Sequence, residues 1–220
     1  MVLESKSVPL NQKGAPFVTL EGIEGSGKTT QLRLLSEYLA GKGIPHVVTR
    51  EPGGTPLADE IRLLLLSPRE ERVFPETELL LYEAARAQHV RTVILPALSS
   101  GKAVLSDRFS DATTAYQGFS RGIDAARIEG LNTFASGGLV PDLTLLFDID
   151  PEDGFLRLHG RGGPSDRMES EAIEFHRKVR KGYLRLQAEH PGRIVRIDGA
   201  LPAGEVFRRV RAETAARFGW

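Results

Sequence analysis

The chain has 220 residues, 40% hydrophobic and 26% charged, the composition of a soluble globular protein with room for one sizeable α/β domain. Its 29 basic residues balance 29 acidic ones, so no global field draws it to nucleic acid or to an anionic membrane, and any anion site must be built locally. There is no cysteine, which excludes disulfides, thiolate metal sites and a thiol nucleophile.

The opening "MVLESKSVPLNQKGA", residues 1–15, reads as a flexible leader ahead of a single domain over 16–220. It has no apolar run long enough for a signal peptide, and "IRLLLLS" and "LVPDLTLLFDI" are far shorter than a bilayer crossing, so the expected location is cytoplasmic. "FVTLEG" predicts a buried parallel strand. The segment from Lys28 to about Lys42 places Leu32, Leu35 and Leu39 on one helical face, and Gly43 ends it. "PHVVTR" predicts a second strand that delivers the Pro/Gly-rich loop "EPGGTP". Helices are expected over 57–67 and about 75–99, a third strand at "AVLSDRF", and helical segments over about 110–136. "DLTLLFDID" is a fourth strand, followed by the polar stretch "RLHGRGGPSDR", a helix over about 169–189, a strand "RIVRID" and a closing helix over about 204–217. Strands alternating with helices imply a parallel sheet covered on both faces, with ligands at the carboxyl edge of its strands.

Between the first strand and the first helix, "GIEGSGKT" fits the phosphate-binding pattern G-x-x-x-x-G-K-[ST], running from Gly22 to Thr29. In such a loop the glycines let successive N–H groups face a phosphate and the helix adds its positive end. Lys28 then reaches the β/γ oxygens and Thr29 holds Mg²⁺. The motif is strong for nucleotide binding and silent about the reaction. The third strand ends in Asp107-Arg108, an acid and a base where a substrate would lie; taken alone, the pair reads more readily as a surface ion pair, and an acid also closes the fourth strand at Asp148. Tyr82 and Arg86, four apart, share a helical face. The five histidines, His89 and His159 among them, show no metal-ligand spacing and read as structural or solvent-facing, and the leucines at 63–66 read as core or dimer surface.

"TREPGGT", "YEAARAQ" and "SDRFSDATTAYQG", in this order and spacing, resemble the bacterial-type thymidylate kinases, and the likeness extends from Phe17 to about Arg211. The resemblance implies a P-loop α/β fold with a five-stranded parallel sheet and a mobile lid over about 157–168, in a homodimer that transfers the γ-phosphoryl group of Mg-ATP to dTMP. An acceptor phosphate is already an anionic oxygen nucleophile at neutral pH, so no catalytic triad or dedicated base is needed; positioning and charge neutralisation suffice. By resemblance, Gly22, Ile23, Glu24, Gly25, Ser26, Gly27, Lys28, Thr29 and Thr30 cradle ATP, and Asp107 joins Thr29 in ordering Mg²⁺. Arg108 and Arg50 hold the dTMP phosphate. Tyr82 stacks the thymine and Arg86 bonds its O4, while Thr113 reads the N3 edge with Gln117 beside it. Tyr116 crowds the 2′ side of the sugar and Glu24 accepts its 3′-OH.

Because "GIEGSGKT" has Lys28 as its sole cation, a second is expected from the lid, where Arg157, Arg161 and Arg167 cluster in sequence; Arg161, flanked by glycines, is favoured as the catalytic one. The rival readings are another nucleoside monophosphate kinase, or a P-loop switch GTPase or motor-like ATPase. The guanine-reading NKxD motif is absent from the sequence, which argues against the switch.

Overall fold

The computed structural model describes residues 14–160 and 166–220, so the leader up to residue 13, and Arg161, lie outside the described residues. Five strands, β1 (Phe17–Glu21), β2 (His46–Arg50), β3 (Ala103–Asp107), β4 (Leu143–Asp148) and β5 (Ile194–Asp198), form one sheet in the order β2-β3-β1-β4-β5. Every pairing is parallel. β1 and β4 are buried along their whole length, as the apolar runs "FVTLE" and "LTLLFD" require of strands covered on both faces. The register brings Leu20 level with Asp107, and Asp107 level with Arg50, so the ends of β1, β2 and β3 open on one edge.

One face of the sheet is covered by α1 (Lys28–Gly41) and α9 (Ala203–Phe218): Leu32, Leu35, Leu39, Val206 and Val210 pack on Val18, Leu105, Leu145 and Phe147. On the other face lie α3 (Pro75–His89), which runs through a π-helical turn (Val90–Ile94) into α4 (Leu95–Ser99), and α8 (Ile173–Glu189). The expected helix over 75–99 is thus continuous in path but changes hydrogen-bond step just before Pro96, which has no N–H to donate. α2 (Pro56–Leu66) starts where expected, with the Thr55 side chain accepting from the Ala58 N–H and Pro56 in the first turn.

The region 110–136 divides into α5 (Ser110–Thr113), a π-helical stretch (Thr114–Ser120) and α6 (Ala125–Ser136), which Asp124 caps through the Arg127 N–H. Two boundaries differ from the sequence reading. A helix α7 (Pro151–His159) follows β4 directly, and α8 begins at Ile173 rather than near 169, because Asp166 Oδ1 takes the N–H groups of Met168 and Glu169 and holds 167–170 in a turn.

Candidate active site

The open edge of β1, β2 and β3 carries a cleft lined by the phosphate loop, the "REP" segment, Arg62 and Leu66 of α2, Tyr82 and Arg86 of α3, Asp107-Arg108-Phe109, the 112–117 stretch and Asp166 with Met168. Two glycines of the loop are fixed by close approach. A Cβ on Gly22, at φ 141°, would sit 2.4 Å from the Phe147 carbonyl oxygen; one on Gly25, at φ 73°, would sit 2.1 Å from that of Gly154 in α7. α1 follows at once, with no side-chain cap and no acid in its first turn, so its positive end faces the loop uncompensated.

Lys28 is buried, and its Nζ donates to the carbonyl oxygens of Gly22 and Ile23, at 2.9 and 2.8 Å, and to Ser26 Oγ at 3.3 Å. Burial, reinforced by Arg108, pushes its pKa down to about 8. Thr29, beside it, donates to Asp107 Oδ2 at 3.1 Å, which joins the end of the loop to the end of β3. Glu24, Gly25, Gly27, Lys28 and Thr29 line the cleft. Ile23 instead sends its side chain into the core beside Leu146 and Ile149, and Thr30 is half-buried and not among the lining residues.

Arg108 has φ 73°, the only non-glycine residue with positive φ among the described residues. The Leu20 carbonyl accepts its N–H and its own carbonyl accepts from Ser106 Oγ, which holds a left-handed backbone that an arginine rarely adopts. Its guanidinium lies over the Tyr116 ring, 4.9 Å from the centroid, and donates from Nη2 to Glu24 Oε1 at 2.9 Å and from Nη1 to Tyr183 Oη at 3.1 Å. Tyr116 Oη also donates to Glu24 Oε1, at 2.7 Å. Burial opposes the charge on Glu24, but Arg108, His176 and Lys28 hold its carboxyl far below the usual carboxylate range. Behind this group, Glu21 is fully enclosed and accepts from Tyr183 Oη and the Phe109 N–H, both at 2.7 Å. Burial and the nearby Asp111 push it up to about 8, against the pull of Arg108 and these hydrogen bonds.

Arg50 reaches the cleft from β2, paired with Asp59 Oδ1 at 2.9 Å and half exposed. Arg86 is almost wholly buried: Nε donates to Glu51, Nη1 to Glu83 and to Asn132, and Nη2 to Thr113 Oγ1 at 2.9 Å. Four of its five N–H groups therefore have partners, which leaves one hydrogen on Nη2. The reading of Arg86 as a site residue and that of Thr113 meet in one hydrogen bond. Gln117 lines the cleft while donating to Glu78 at 2.8 Å. Tyr82 lines it too, and burial, followed by the charge of Glu78, pushes its phenol well above the usual range. His89 is structural: its imidazole joins Thr49 Oγ1, at 2.6 Å, to Glu51 Oε1, at 3.0 Å, and so ties "TREP" to α3.

Of the three arginines expected to cluster, the two that are described, Arg157 and Arg167, point to different places. Arg157 donates to the carbonyls of Gly199 and Ala200, at 2.7 and 2.9 Å, on the turn between β5 and α9. Arg167 instead donates to the Leu65 carbonyl at 2.6 Å, and its Nη2 lies 2.7 Å from Glu78. One belongs to α7 and the other to the joint between α2 and α3, because neighbours along a loop need not point to one place. Arg161 is outside the described residues.

Residues that sequence reasoning passed over are Glu21, Glu51, Arg62, Asp166, His176 and Tyr183. The only signal was for Glu21, an acid at the end of an apolar strand beside the phosphate loop; His176 and Tyr183, seven apart on α8, reach the site across more than 150 residues of chain. Among the described residues, no group of three or more His, Cys, Asp or Glu side chains is placed to hold a metal ion, and no helix is long and apolar enough to cross a membrane.

The thymidylate kinase family model matches residues 20–210. The chain is 49% identical over 206 residues to the thymidylate kinase of Geotalea uraniireducens (strain Rf4), covering 91% of this chain and 97% of that one. It is 50% identical over 195 residues to that of Carboxydothermus hydrogenoformans, covering 89% and 94%. The crystal structure of thymidylate kinase from Ehrlichia chaffeensis superposes with a TM-score of 0.72 at 35% identity, covering 91% of this chain and 99% of that one. With the phosphate loop, the Asp107-Arg108 pair and the "TREP" segment meeting at one sheet edge, the chain belongs to the thymidylate kinase family of nucleoside monophosphate kinases.

Proposed function

We propose a division of labour for the transfer of the ATP γ-phosphoryl group to dTMP within one kinase domain over 16–220. An oxygen of the dTMP phosphate attacks the γ-phosphorus, the bond from that phosphorus to the bridging oxygen of ADP breaks, and the products are dTDP and ADP. The observation that carries this reading is the convergence of Lys28, the uncapped start of α1, Arg108 and Arg50 on one cleft, with cations approaching it from both the loop side and the "DR" side. Lys28 turns from the loop carbonyls to the β/γ oxygens, and Arg108, already fixed by Glu24 and Tyr183, holds the acceptor phosphate with Arg50.

Tyr82 stacks the base, while the remaining Nη2 hydrogen of Arg86, with Thr113 and Gln117, reads its polar edge. Glu24 accepts the sugar 3′-hydroxyl, and Tyr116, which braces Glu24, fills the space a 2′-hydroxyl would need. Gly22, Ile23, Gly25, Ser26, Gly27 and Thr30 complete the ATP cradle through backbone or flanking positions, with Arg157 beside it; Arg161, outside the described residues, is the second cation assigned to the transferring group.

The residues present fit Mg²⁺: the Thr29 hydroxyl and the Asp107 carboxylate are hard oxygen donors in contact, and a pair rather than a cage suits an ion that keeps waters and phosphate oxygens. When bound, the ion neutralises charge on the transferring phosphates. Leu63, Leu64, Leu80 and Phe134, apolar residues left exposed on α2, α3 and α6, support a homodimer through these helices, and the location assigned to the enzyme is the cytoplasm. The test is an acceptor panel with Mg-ATP: dTMP is expected to win clearly over dUMP, UMP, CMP, AMP and GMP, and preference for another monophosphate would overturn the base-pocket assignment.

A further inference from the structure

We infer that His176 is a positioning residue for Glu24, and through it for the acceptor's sugar; this rests on the assignment of the 3′-hydroxyl to Glu24. His176 lies on α8 and is completely buried. Its Nδ1 is 3.0 Å from Glu24 Oε2, yet neither ring nitrogen, nor that oxygen, has a partner at hydrogen-bond geometry among the described residues. Two sealed polar atoms thus face each other at bonding distance but out of line. Leaving them so costs free energy that a small rotation would recover.

The imidazole has little freedom to look elsewhere. Phe155 meets it edge-on at 4.9 Å between centroids and Phe175 at 5.3 Å. A phenylalanine would suit this aromatic surrounding without any buried polar atom, so the histidine is explained by what its nitrogen can do. Glu24 is ionised, and a carboxylate only accepts; the proton must therefore sit on Nδ1. Oε1 of Glu24 is already occupied by Tyr116 and Arg108. Aligning Oε2 on His176 fixes the second oxygen and so the plane of the whole carboxylate, which sets the direction in which it offers a lone pair to a hydroxyl. Tyr116, Arg108 and His176 then act as three struts on one acceptor group, the first two from the β3 side and the third from α8.

The test compares dTMP with 3′-deoxythymidine monophosphate as acceptors at saturating Mg-ATP, in the full-length wild type, His176→Phe and His176→Asn. Wild type should prefer dTMP in kcat/KM. His176→Phe should lose about fivefold or more of that preference, chiefly through KM for dTMP, with KM for ATP changed less than about twofold. His176→Asn, which can place an N–H near the position of Nδ1, should keep most of it. Full preference in a folded His176→Phe enzyme overturns the proposal, as does equal damage from Asn and Phe. A wild type indifferent to the 3′-hydroxyl would instead overturn the Glu24 assignment itself. Nitrogen-15 spectra of histidine-labelled wild type give a reading free of any variant: an Nδ1 of His176 that carries no proton would also overturn it.

Discussion

Glu21 offers the sharpest test of the site's electrostatics. Its carboxyl is fully enclosed, and burial with the neighbouring Asp111 raises it from 4.5 to about 8. The folded chain therefore keeps this proton up to about pH 8, whereas the unfolded chain releases it near 4.5; between those values the folded state binds more protons and stability falls as pH rises. At about 1.4 kcal/mol per unit, the three units from pH 5 to pH 8 amount to a loss on the order of 4 kcal/mol from this one group. Glu21→Gln imitates the protonated carboxyl in shape and charge: its amide oxygen can take the Phe109 N–H, and its amino group then donates to Tyr183 Oη, reversing the bond that runs from that hydroxyl to Glu21. Urea unfolding of both proteins across pH 5 to 8 cancels every other titration common to them. The wild type should lose about 4 kcal/mol relative to Glu21→Gln over that range. Parallel stability curves would refute the reasoning, since Glu21 would then keep an ordinary carboxylate pKa despite its enclosure.

Lys28→Ala should lower kcat by at least about a hundredfold while circular dichroism stays native, because the missing charge serves the transition state more than the fold. Near-normal turnover would remove the loop from catalysis. Arg108→Ala should raise KM for dTMP by about tenfold or more, and KM for ATP far less, on the scale of a lost charge-assisted contact; equal losses for both substrates would contradict its place on the acceptor side. Tyr82→Ala should weaken dTMP binding by about 1–3 kcal/mol, the scale of base–aromatic stacking. Tyr82→Phe should be nearly silent in the same titration, and a Phe variant as weak as Ala would make the hydroxyl, not the ring, the functional group.

The order of strands and helices was legible because β1, β3 and β4 are apolar runs ending in charge, with β1 and β4 buried throughout as such runs require, while β2 and β5 are shorter apolar stretches beside proline, glycine and charge. α7 was missed for a local reason. "PEDGFLRLH" carries Gly154 in its middle and few apolar residues, although Asp150 accepting from the Glu152 N–H, with Pro151 in the first turn, is a helix start written in the sequence. In the site, Lys28, Thr29, Asp107 and Arg108 announce themselves because their chemistry is tied to short spacings. The groups that orient them do not: Glu24 meets Tyr116 and His176, and Glu21 meets Tyr183, only after the sheet has brought distant helices to one edge. The same limit explains Arg157 and Arg167, which look like one basic segment yet anchor different loops.

Gly25 and Gly154 touch backbone to backbone: a Cβ on the second would lie 2.7 Å from the Glu24 carbonyl oxygen, just as one on the first would strike Gly154. Contact without side chains leaves nothing to slide or repack. The phosphate loop therefore shares the fate of α7, and its opening free energy should follow that of the helix instead of a surface turn, so that the Gly25 and Ser26 amides exchange with solvent in step with those of α7. A methyl at either position would act as a wedge at this joint, springing the cradle away from the helix that leads toward residues 161–165.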